Sequence, residues 1–459
     1  MPCAYMSPEG KPCQFNRPED QLYEYREITW CRYHLPCSVE GQPESPKDGM
    51  DLNSLLDPNR LLTDALREGA ADLTGIQFPE AALEIDEITE DVSFQYASFS
   101  GPVRCRSLVA KGRLDFTKAR FGDGVSFVEA KFHEDVIFRE ASFSKKANFG
   151  SAQFSNEADF RDTHFGGDAV FSYGGFSRAA TFDGAKFLGV AVFQGRSFDF
   201  VSFRHSVFES GANFREAAFR NRLNFRRAVF VEACDFSTVN VGRDLPVTNF
   251  RQAAFHGFTS FVNRNFTVAA RFDECVFDAA PLFHECELHQ DTSFDGADFR
   301  DTRSRGAARA YRTLKLAMEE HRSRNEEGYF YALEQRSARY SGSLGRWDQF
   351  MSWLYDETSG YGQDSVQPLC LLLAIWLVFG MIFGLMGHPA GLTLEALRGG
   401  CSFSLAQIIR PLRILGVEEV TWTCPGLLLT QAISSLESIL TSACIALSLL
   451  SLRWRFRRG

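Results

Sequence analysis

Three cysteines and one histidine near the start of the chain are the side chains best suited to chemistry. Cys31 and His34 are separated by two residues, so both can grip one ion from a tight turn, and Cys3 and Cys13 precede them. Three thiolates and one imidazole form a tetrahedral ligand set for structural zinc, which leaves no open position for catalysis. We predict such a zinc ion on Cys3, Cys13, Cys31 and His34. Cys37 could replace any of the four, and a disordered head with incidental cysteines is the alternative.

The segment around these ligands is too poor in apolar residues to build its own core, and a bound metal would explain its order. The chain of 459 residues contains 12 cysteines and carries a net charge of −9. Scattered cysteines without an opening signal peptide predict a reducing compartment, with thiols or metal ligands rather than disulfides. We expect a zinc-binding head over residues 1–40, followed by a linker and an N-terminal cap helix over 41–72.

The residues that must position this head show one dominant pattern, a phenylalanine that returns after alternating steps of five and six residues. This spacing matches neither the helical repeat of about 3.6 residues nor the strict alternation of a single strand. A fixed short period predicts a solenoid, in which each repeat packs only on its neighbours. The clearest run is Phe116, Phe121, Phe127, Phe132, Phe138, Phe143, Phe149, Phe154, Phe160, Phe165, Phe171, Phe176, Phe182, Phe187 and Phe193.

A small residue, most often alanine, lies two positions before most of these phenylalanines, and polar residues lie between. We expect Phe and Ala to point inward in stacked ladders, with the backbones of successive coils paired at strand spacing. The register breaks twice, where Phe193 to Phe208 run in fives and where residues 241–246 form a loop.

The triplets Ala158-Asp159-Phe160, Ala212-Asn213-Phe214 and Ala297-Asp298-Phe299 resemble the unit of the pentapeptide-repeat family, which is Ala, a polar residue, Leu or Phe, and two more polar residues. The resemblance covers roughly residues 73–300 and implies a β-solenoid, a right-handed quadrilateral β-helix. With four sides to each coil, the alternating steps of five and six residues predict coils of about 22 residues. Several Phe-rich pentapeptide proteins also resemble the Cys–Cys–CxxH opening. About ten coils at about 4.8 Å each would extend on the order of 50 Å.

The pattern changes after Phe299 to a helical one, which predicts a helical linker and cap over 301–362 and a membrane domain over 363–459. Residues 366–387 carry no charge, and a second apolar run spans about 426–452, so both predict transmembrane helices. Aromatic residues before the first span are typical of a membrane interface, and the arginine-rich tail places the C-terminus in the cytoplasm. We expect a multi-pass protein of the inner membrane with both termini cytoplasmic. The C-terminal module loosely resembles an ion-channel-like module that follows pentapeptide repeats in many bacterial proteins.

Small residues in the two spans favour close helix packing, namely Gly380 and Gly384 in the first span and Ser434, Ser438 and Ser442 in the second. Gln431 and Glu437 are candidates for a pore lining, because an acid inside a membrane usually faces a lumen or a partner. A Glu437 side chain at the interface, near the end of the span, is the alternative.

No phosphate loop, nucleophile elbow or zinc-protease motif occurs in the sequence, so we expect no enzymatic activity. Acidic and basic residues are balanced over the repeats, which argues against DNA mimicry and nucleic-acid binding. We expect a membrane-anchored, homo-oligomeric scaffold that presents a cytoplasmic solenoid face to an unidentified protein partner. The alternative is a sensor–effector whose solenoid controls an oligomeric, ion-channel-like pore.

Overall fold

The computed structural model describes residues 3–8, 10–15, 22–25, 28–36, 57–67, 71–239, 243–340, 342, 344–364, 366–387, 393–409 and 427–456. Several predicted features lie outside these residues, namely Cys37, the first part of the linker and cap expected over 41–72, part of the loop at 241–246 and much of the connection between the spans. The chain divides into two compact units, Met1–Asp301 and Thr302–Gly459.

The first unit is a β-solenoid of about ten turns, which confirms the predicted fold class. Strands of successive coils pair in parallel, with Phe121 opposite Phe143 and Leu114 opposite Val136. Arg113 N–H donates to the carboxylate of Asp91 in the preceding coil, 22 positions earlier, so the predicted coil length is confirmed. Each coil has four sides, because four parallel ladders run along it.

The strand bounds follow the ladders. The first ladder contains Gln77–Phe78, Ser98–Phe99, Arg120–Phe121, Ser142–Phe143, His164–Phe165, Lys186–Phe187, Val207–Phe208, Val229–Phe230, Ala254–Phe255, Val276–Phe277 and Asp298–Phe299. The second contains Leu83–Glu84, Val103–Arg104, Val125–Ser126, Ala147–Asn148, Ala169–Val170, Ala191–Val192, Ala212–Asn213, Cys234–Asp235 and Thr259–Ser260. The third begins with Glu87–Ile88, Val109–Ala110, Lys131–Phe132 and Gln153–Phe154, and the fourth with Val92–Ser93, Leu114–Asp115, Val136–Ile137 and Ala158–Asp159. Three longer strands then join the third and fourth ladders, namely Gly175–Thr181, Ser197–Ser202 and Ala218–Asn224, and Val247–Asn249, Asp244–Leu245 and Asn265–Phe266 follow.

Phenylalanine rings fill the interior as the spacing predicts, and Phe171 shows how they pack. Its side chain is fully buried. Its ring stacks on Phe149 below and Phe193 above, with centroids 4.8 and 5.1 Å apart. It meets Phe160 and Phe182 edge to face at 5.4 and 5.3 Å. Offset stacks and edge-to-face pairs are the favourable geometries of aromatic rings, so the core gains energy both along and across the solenoid.

The two step lengths correspond to two kinds of corner. Each five-residue step from Phe116 to Phe121 and from Phe138 to Phe143 turns through a left-handed residue, Lys118 with φ 58° and Glu140 with φ 54°. The six-residue step from Phe121 to Phe127 contains no such left-handed residue, because its extra residue completes the corner. Left-handed backbone costs a residue with a Cβ roughly 1–2 kcal/mol, so the core must offset this at many corners.

The first break in the register shortens a coil, and the second lengthens one. Phe187 pairs with Phe208, so this coil is one residue shorter than the regular coil. Phe230 pairs with Phe255, so that coil is three residues longer. Near the first break, one continuous strand, Ser197–Ser202, replaces the two short strands and the corner of a regular coil. Its pairing with the strand Ala218–Asn224 shifts register between Phe198 and Phe200. The solenoid therefore absorbs both irregularities without losing its stack of rings.

Two buried arginines replace the expected small inward residue, and the sequence analysis missed both. Arg196 lies two positions before Phe198 and is fully buried. Its guanidinium donates to the carbonyl of Tyr173 at 2.6 Å and to that of Phe149 at 3.3 Å, and lies 4.4 Å from the ring centroid of Phe176. Burial lowers the pKa of Arg196 to about 9, so it stays charged at neutral pH.

Arg264 repeats this arrangement further along the solenoid. It donates to the carbonyls of Ala217 at 2.9 Å and Phe214 at 3.3 Å, and also to that of Phe236. Burial lowers the pKa of Arg264 to about 10. Both arginines bond to backbone 47 or more positions earlier, which is two coils away, so each ties three successive coils together. Their location, two positions before a phenylalanine, is the signal that could have revealed them.

The head and the second unit complete the secondary structure. The head contains an antiparallel hairpin of strands Leu22–Tyr25 and Ile28–Cys31. The helices are α1 (Pro58–Arg67), α2 (Ala307–Glu320), α3 (Arg324–Ala338), α4 (Arg346–Ser359), α5 (Gln367–Gly387), α6 (Leu394–Ile409) and α7 (Leu427–Phe456), with a 3-10 turn at Gly360–Gly362. Glycine disfavours a helix interior, yet Gly328 lies inside α3. The break falls instead beside Arg322, whose φ is 57°.

Replacement of Phe171 by Asp should abolish folding of the solenoid, because a carboxylate would lie unpaired among stacked rings. Phe171→Leu should cost only about 1–2 kcal/mol, since size and apolar character are nearly kept. Thermal melting followed by circular dichroism measures both. Phe200→Asp is the matched control, because Phe200 is 46% exposed and the change should move stability by under about 0.5 kcal/mol. A Phe171→Asp protein that melts like the parent would contradict the inward assignment.

Candidate functional site

The four predicted metal ligands converge in the head, although the first and last are 31 positions apart in sequence. The ligand atoms of Cys3, Cys13, Cys31 and His34 all lie within 4.8 Å of one another. The Sγ atoms of Cys13 and Cys31 are 3.7 Å apart, and His34 Nδ1 lies 3.3 Å from Cys31 Sγ and 3.9 Å from Cys3 Sγ. The cluster could therefore hold one metal ion, as the cysteine and histidine spacing predicts.

Local backbone structure explains how the ligands meet. Cys31 ends the second strand of the hairpin, and a tight turn follows in which Leu35 N–H donates to the Cys31 carbonyl at 2.9 Å. This turn brings His34 back beside Cys31. Cys13 N–H donates to the carbonyl of Tyr5 at 3.1 Å, so the two N-terminal segments that carry Cys3 and Cys13 lie side by side.

The distances fit a tetrahedral ion better than a disulfide. A disulfide requires an S–S length of about 2.05 Å, whereas ligands around a four-coordinate zinc ion lie about 3.4–3.8 Å from one another. The Cys13–Cys31 separation of 3.7 Å matches the second value. All three cysteines are free thiols.

Neighbouring groups orient the ligands as metal sites require. His34 Nε2 lies 3.1 Å from the carbonyl of Thr74, so an Nε2–H bond there leaves Nδ1 free for an ion. Tyr5 stacks on the His34 ring with centroids 3.8 Å apart, which fixes the ring plane. Cys31 N–H donates to Cys3 Sγ at 3.1 Å and favours its thiolate.

The protonation of the cluster reflects three thiols in contact. Bonds from Cys13 and Cys31 hold the pKa of Cys3 far below its usual range, and bonds with Cys3 and Cys31 raise the pKa of Cys13. Burial alone would lower the pKa of His34, but its bonds to Cys3 and Cys31 raise it to about 9. A metal cation would replace the protons shared among these groups, so binding should release protons and weaken in acid.

The head is attached to the first coil of the solenoid by polar contacts on both sides of the ligand cluster. Gln77 N–H donates to the Tyr33 carbonyl at 2.7 Å, and Gln14 Nε2 donates to the Asp72 carbonyl at 2.7 Å. Tyr33 is fully buried at this junction. An ion on the cluster would therefore brace the junction between the head and the solenoid.

The predicted packing glycines of the first span contact a helix of the same chain. A Cβ on Gly380 would meet Cys401 at 2.7 Å, and one on Gly384 would meet the carbonyl of Ala396 at 2.8 Å. Gly400 approaches both glycines, and Trp376 Nε1 donates to the Cys401 carbonyl at 3.0 Å. Helix α6 thus lies antiparallel against α5, an arrangement that the sequence analysis did not foresee.

Helix α7 turns a polar stripe toward the other helices of its unit. Ser434 and Glu437 are buried, whereas Gln431 is exposed and Ser438 and Ser442 are half-buried. The buried face continues through a regular series, Thr441, Cys444, Ser448 and Ser451. Ser404 of α6 donates to Glu437 Oε1, and the other carboxylate oxygen has no partner among the described residues. The acid that the sequence singled out is therefore held inside the helix bundle.

Two helices in the described residues are long and apolar enough to cross a membrane, Gln367–Gly387 and Leu429–Ser451. Both coincide with the predicted spans. By length and composition they indicate membrane association.

We expect about one zinc ion per chain, because four converging ligands satisfy its preferred geometry. Metal analysis of the purified full-length protein measures it. The double variant Cys31→Ala, His34→Ala should lose the metal, whereas Cys105→Ala is the matched control, since Cys105 is buried in the solenoid away from the cluster. A parent protein without stoichiometric zinc, or a double variant that retains it, would be incompatible with this site.

Comparison with known proteins agrees with the observed fold. Residues 127–174 match the family model described as pentapeptide repeats (9 copies). No curated protein and no solved structure was found to match the chain. The matched segment lies in the middle of the solenoid, and its strands pair in register with those of the coils on both sides. This segment of the solenoid therefore carries the pentapeptide repeat that the sequence analysis predicted.

Proposed function

We propose that this protein is a non-enzymatic, membrane-anchored scaffold whose solenoid presents a cytoplasmic surface to a protein partner. One combination of features carries the proposal. The solenoid has a dry interior of stacked rings, and the helices of the second unit have apolar outer surfaces. A core of this kind leaves the outward side chains free for recognition, as in other repeat architectures. Zinc on Cys3, Cys13, Cys31 and His34 would hold the head against the first coil.

Exposed apolar side chains support the membrane anchor. Leu373 and Leu385 on α5, and Ile439 and Leu449 on α7, are 53–67% exposed. Each square ångström of such surface left in water costs about 25 cal/mol, so a lipid environment would stabilise these helices. Trp347, at 71% exposure, and other aromatic side chains on α4 would suit the membrane interface.

A second function, an oligomeric pore controlled by the solenoid, is favoured by one observation. Glu437 is buried in the helix bundle and only one of its carboxylate oxygens has a partner among the described residues. An acid in that position is costly unless water, an ion or a partner satisfies it. We place this alternative second, because Ser404 of the same chain already supplies one bond.

Reporter fusions should establish the topology that an anchored scaffold requires. Reporters before Met1 and after Gly459 should both be cytoplasmic, and one inserted near Gly391 should lie on the opposite side, because two spans return the chain to its starting side. Reporter activity in intact and permeabilised cells measures the side. Termini on opposite sides would mean an odd number of spans and would overturn the proposed arrangement.

Ion flux through protein in liposomes should separate the two functions. If the helices only anchor the solenoid, Glu437→Gln should insert normally and leave flux at background. If they form a pore, Glu437→Gln should change the flux or its selectivity, because the charge of the lining changes. Ser435→Ala is the control, since Ser435 lies on the exposed face of α7. Conductance in the parent that depends on Glu437 would favour the pore over the scaffold.

A further inference from the structure

A cleft separates the metal-binding head from one face of the solenoid, and neither the proposed scaffold nor the pore uses it. Its volume is about 580 Å3, which lies within the range of small-molecule sites. One wall comes from the head, including Tyr5 and Trp30. The floor comes from outward residues and corners of successive coils, including Tyr96, Lys118, Arg120 and Glu140.

Two buried hydrogen-bonding groups in the head wall have no partner among the described residues. They are the hydroxyl of Tyr5 and the indole Nε1 of Trp30. Buried polar groups are nearly always hydrogen-bonded, and each that is not costs about 1–3 kcal/mol by general experience. The indole nitrogen can only donate. Both atoms are shielded from the cleft, so Tyr5 and Trp30 offer their aromatic surfaces to it, which favours a planar ligand.

The floor of the cleft contains a positively charged side chain, that of Arg120. Arg120 is exposed and makes no ion pair among the described residues. Its planar guanidinium can bind two oxygens of one phosphate at once. On the adjoining corner, Lys118 lies 5.5 Å from the ring centroid of Tyr96 and pairs with Glu140 at 3.4 Å.

Glu140 adds the one carboxylate that lines the cleft. A carboxylate accepts hydrogen bonds, so it suits an amino substituent and disfavours a ligand that is anionic throughout. Adjacent strands lie about 4.8 Å apart, which places the aromatic, cationic and acidic groups of neighbouring coils within the length of one small molecule. A bare anion would satisfy Arg120 but would leave the aromatic wall unused.

We propose that this cleft binds a mononucleotide, with an amino-substituted heteroaromatic ring against Tyr5 and Trp30 and its phosphate on Arg120. Base stacking on aromatic side chains and phosphate binding by arginine are both common in nucleotide recognition. The site would link a soluble ligand to the junction that the metal cluster braces, since His34 also lines the cleft.

Isothermal titration of the full-length, metal-loaded protein in detergent with AMP, adenosine and inorganic phosphate tests the proposal. We expect saturable binding of AMP, with adenosine and phosphate each at least about tenfold weaker, because each offers only half of the contacts. Arg120→Ala should weaken AMP binding by about tenfold or more, as expected for a charge-assisted hydrogen bond. Trp30→Ala removes an aromatic surface of the head wall, and it should also weaken AMP binding.

Arg220→Ala is the matched control, because Arg220 is likewise exposed and lies on a different strand, Ala218–Asn224. It should bind AMP like the parent. Metal content and melting temperature of every variant establish that the head remains folded. The proposal is overturned if AMP does not bind below about 1 mM, if phosphate binds as tightly as AMP, or if Arg120→Ala and Arg220→Ala have the same effect.

Discussion

Stacking of phenylalanine rings along the solenoid is the interaction on which the rest of this protein depends. Stacked centroids of successive coils lie between 4.5 and 5.4 Å apart. This interval is close to the spacing of hydrogen-bonded strands, about 4.8 Å, so rings and backbone ladders can form together. Each coil must therefore return its phenylalanines to the same register. The regular coil length, the two corner types and the small inward residues all follow from that requirement.

The same requirement explains where the solenoid departs from regularity. A coil can lose one residue or gain three only if the change is confined to a corner, as in the pairings of Phe187 with Phe208 and Phe230 with Phe255. Arg196 and Arg264 occupy inward positions in the part of the solenoid that contains these changes. Each bonds to carbonyls two coils away. We infer that they reinforce this region, since a buried cation must be satisfied by backbone oxygens that are correctly placed.

The head and the C-terminal helices also depend on polar contacts between elements. The head is small; four of its side chains converge on one point, and His34 also contacts the Thr74 carbonyl. In the second unit, glycines let α6 approach α5 closely, and Ser404 satisfies half of the Glu437 carboxylate. In both regions the candidate functional side chains therefore lie at contacts between elements, so single substitutions there should test their roles.

The sequence by itself determined the β-solenoid, the coil length, the inward phenylalanines, the four residues that could hold a metal ion and the positions of the two apolar helices. Each of these is encoded in residue type and spacing, because a short period or a tight turn is a local property of the chain. Only the tertiary structure decided the contacts between distant segments. Among these are the buried Arg196 and Arg264, the packing of Gly380 against α6, the bond from Ser404 to Glu437, and the cleft between Trp30 and Arg120. The residues of each such contact lie far apart in the sequence, so no local pattern reveals them, and folding alone brings them together.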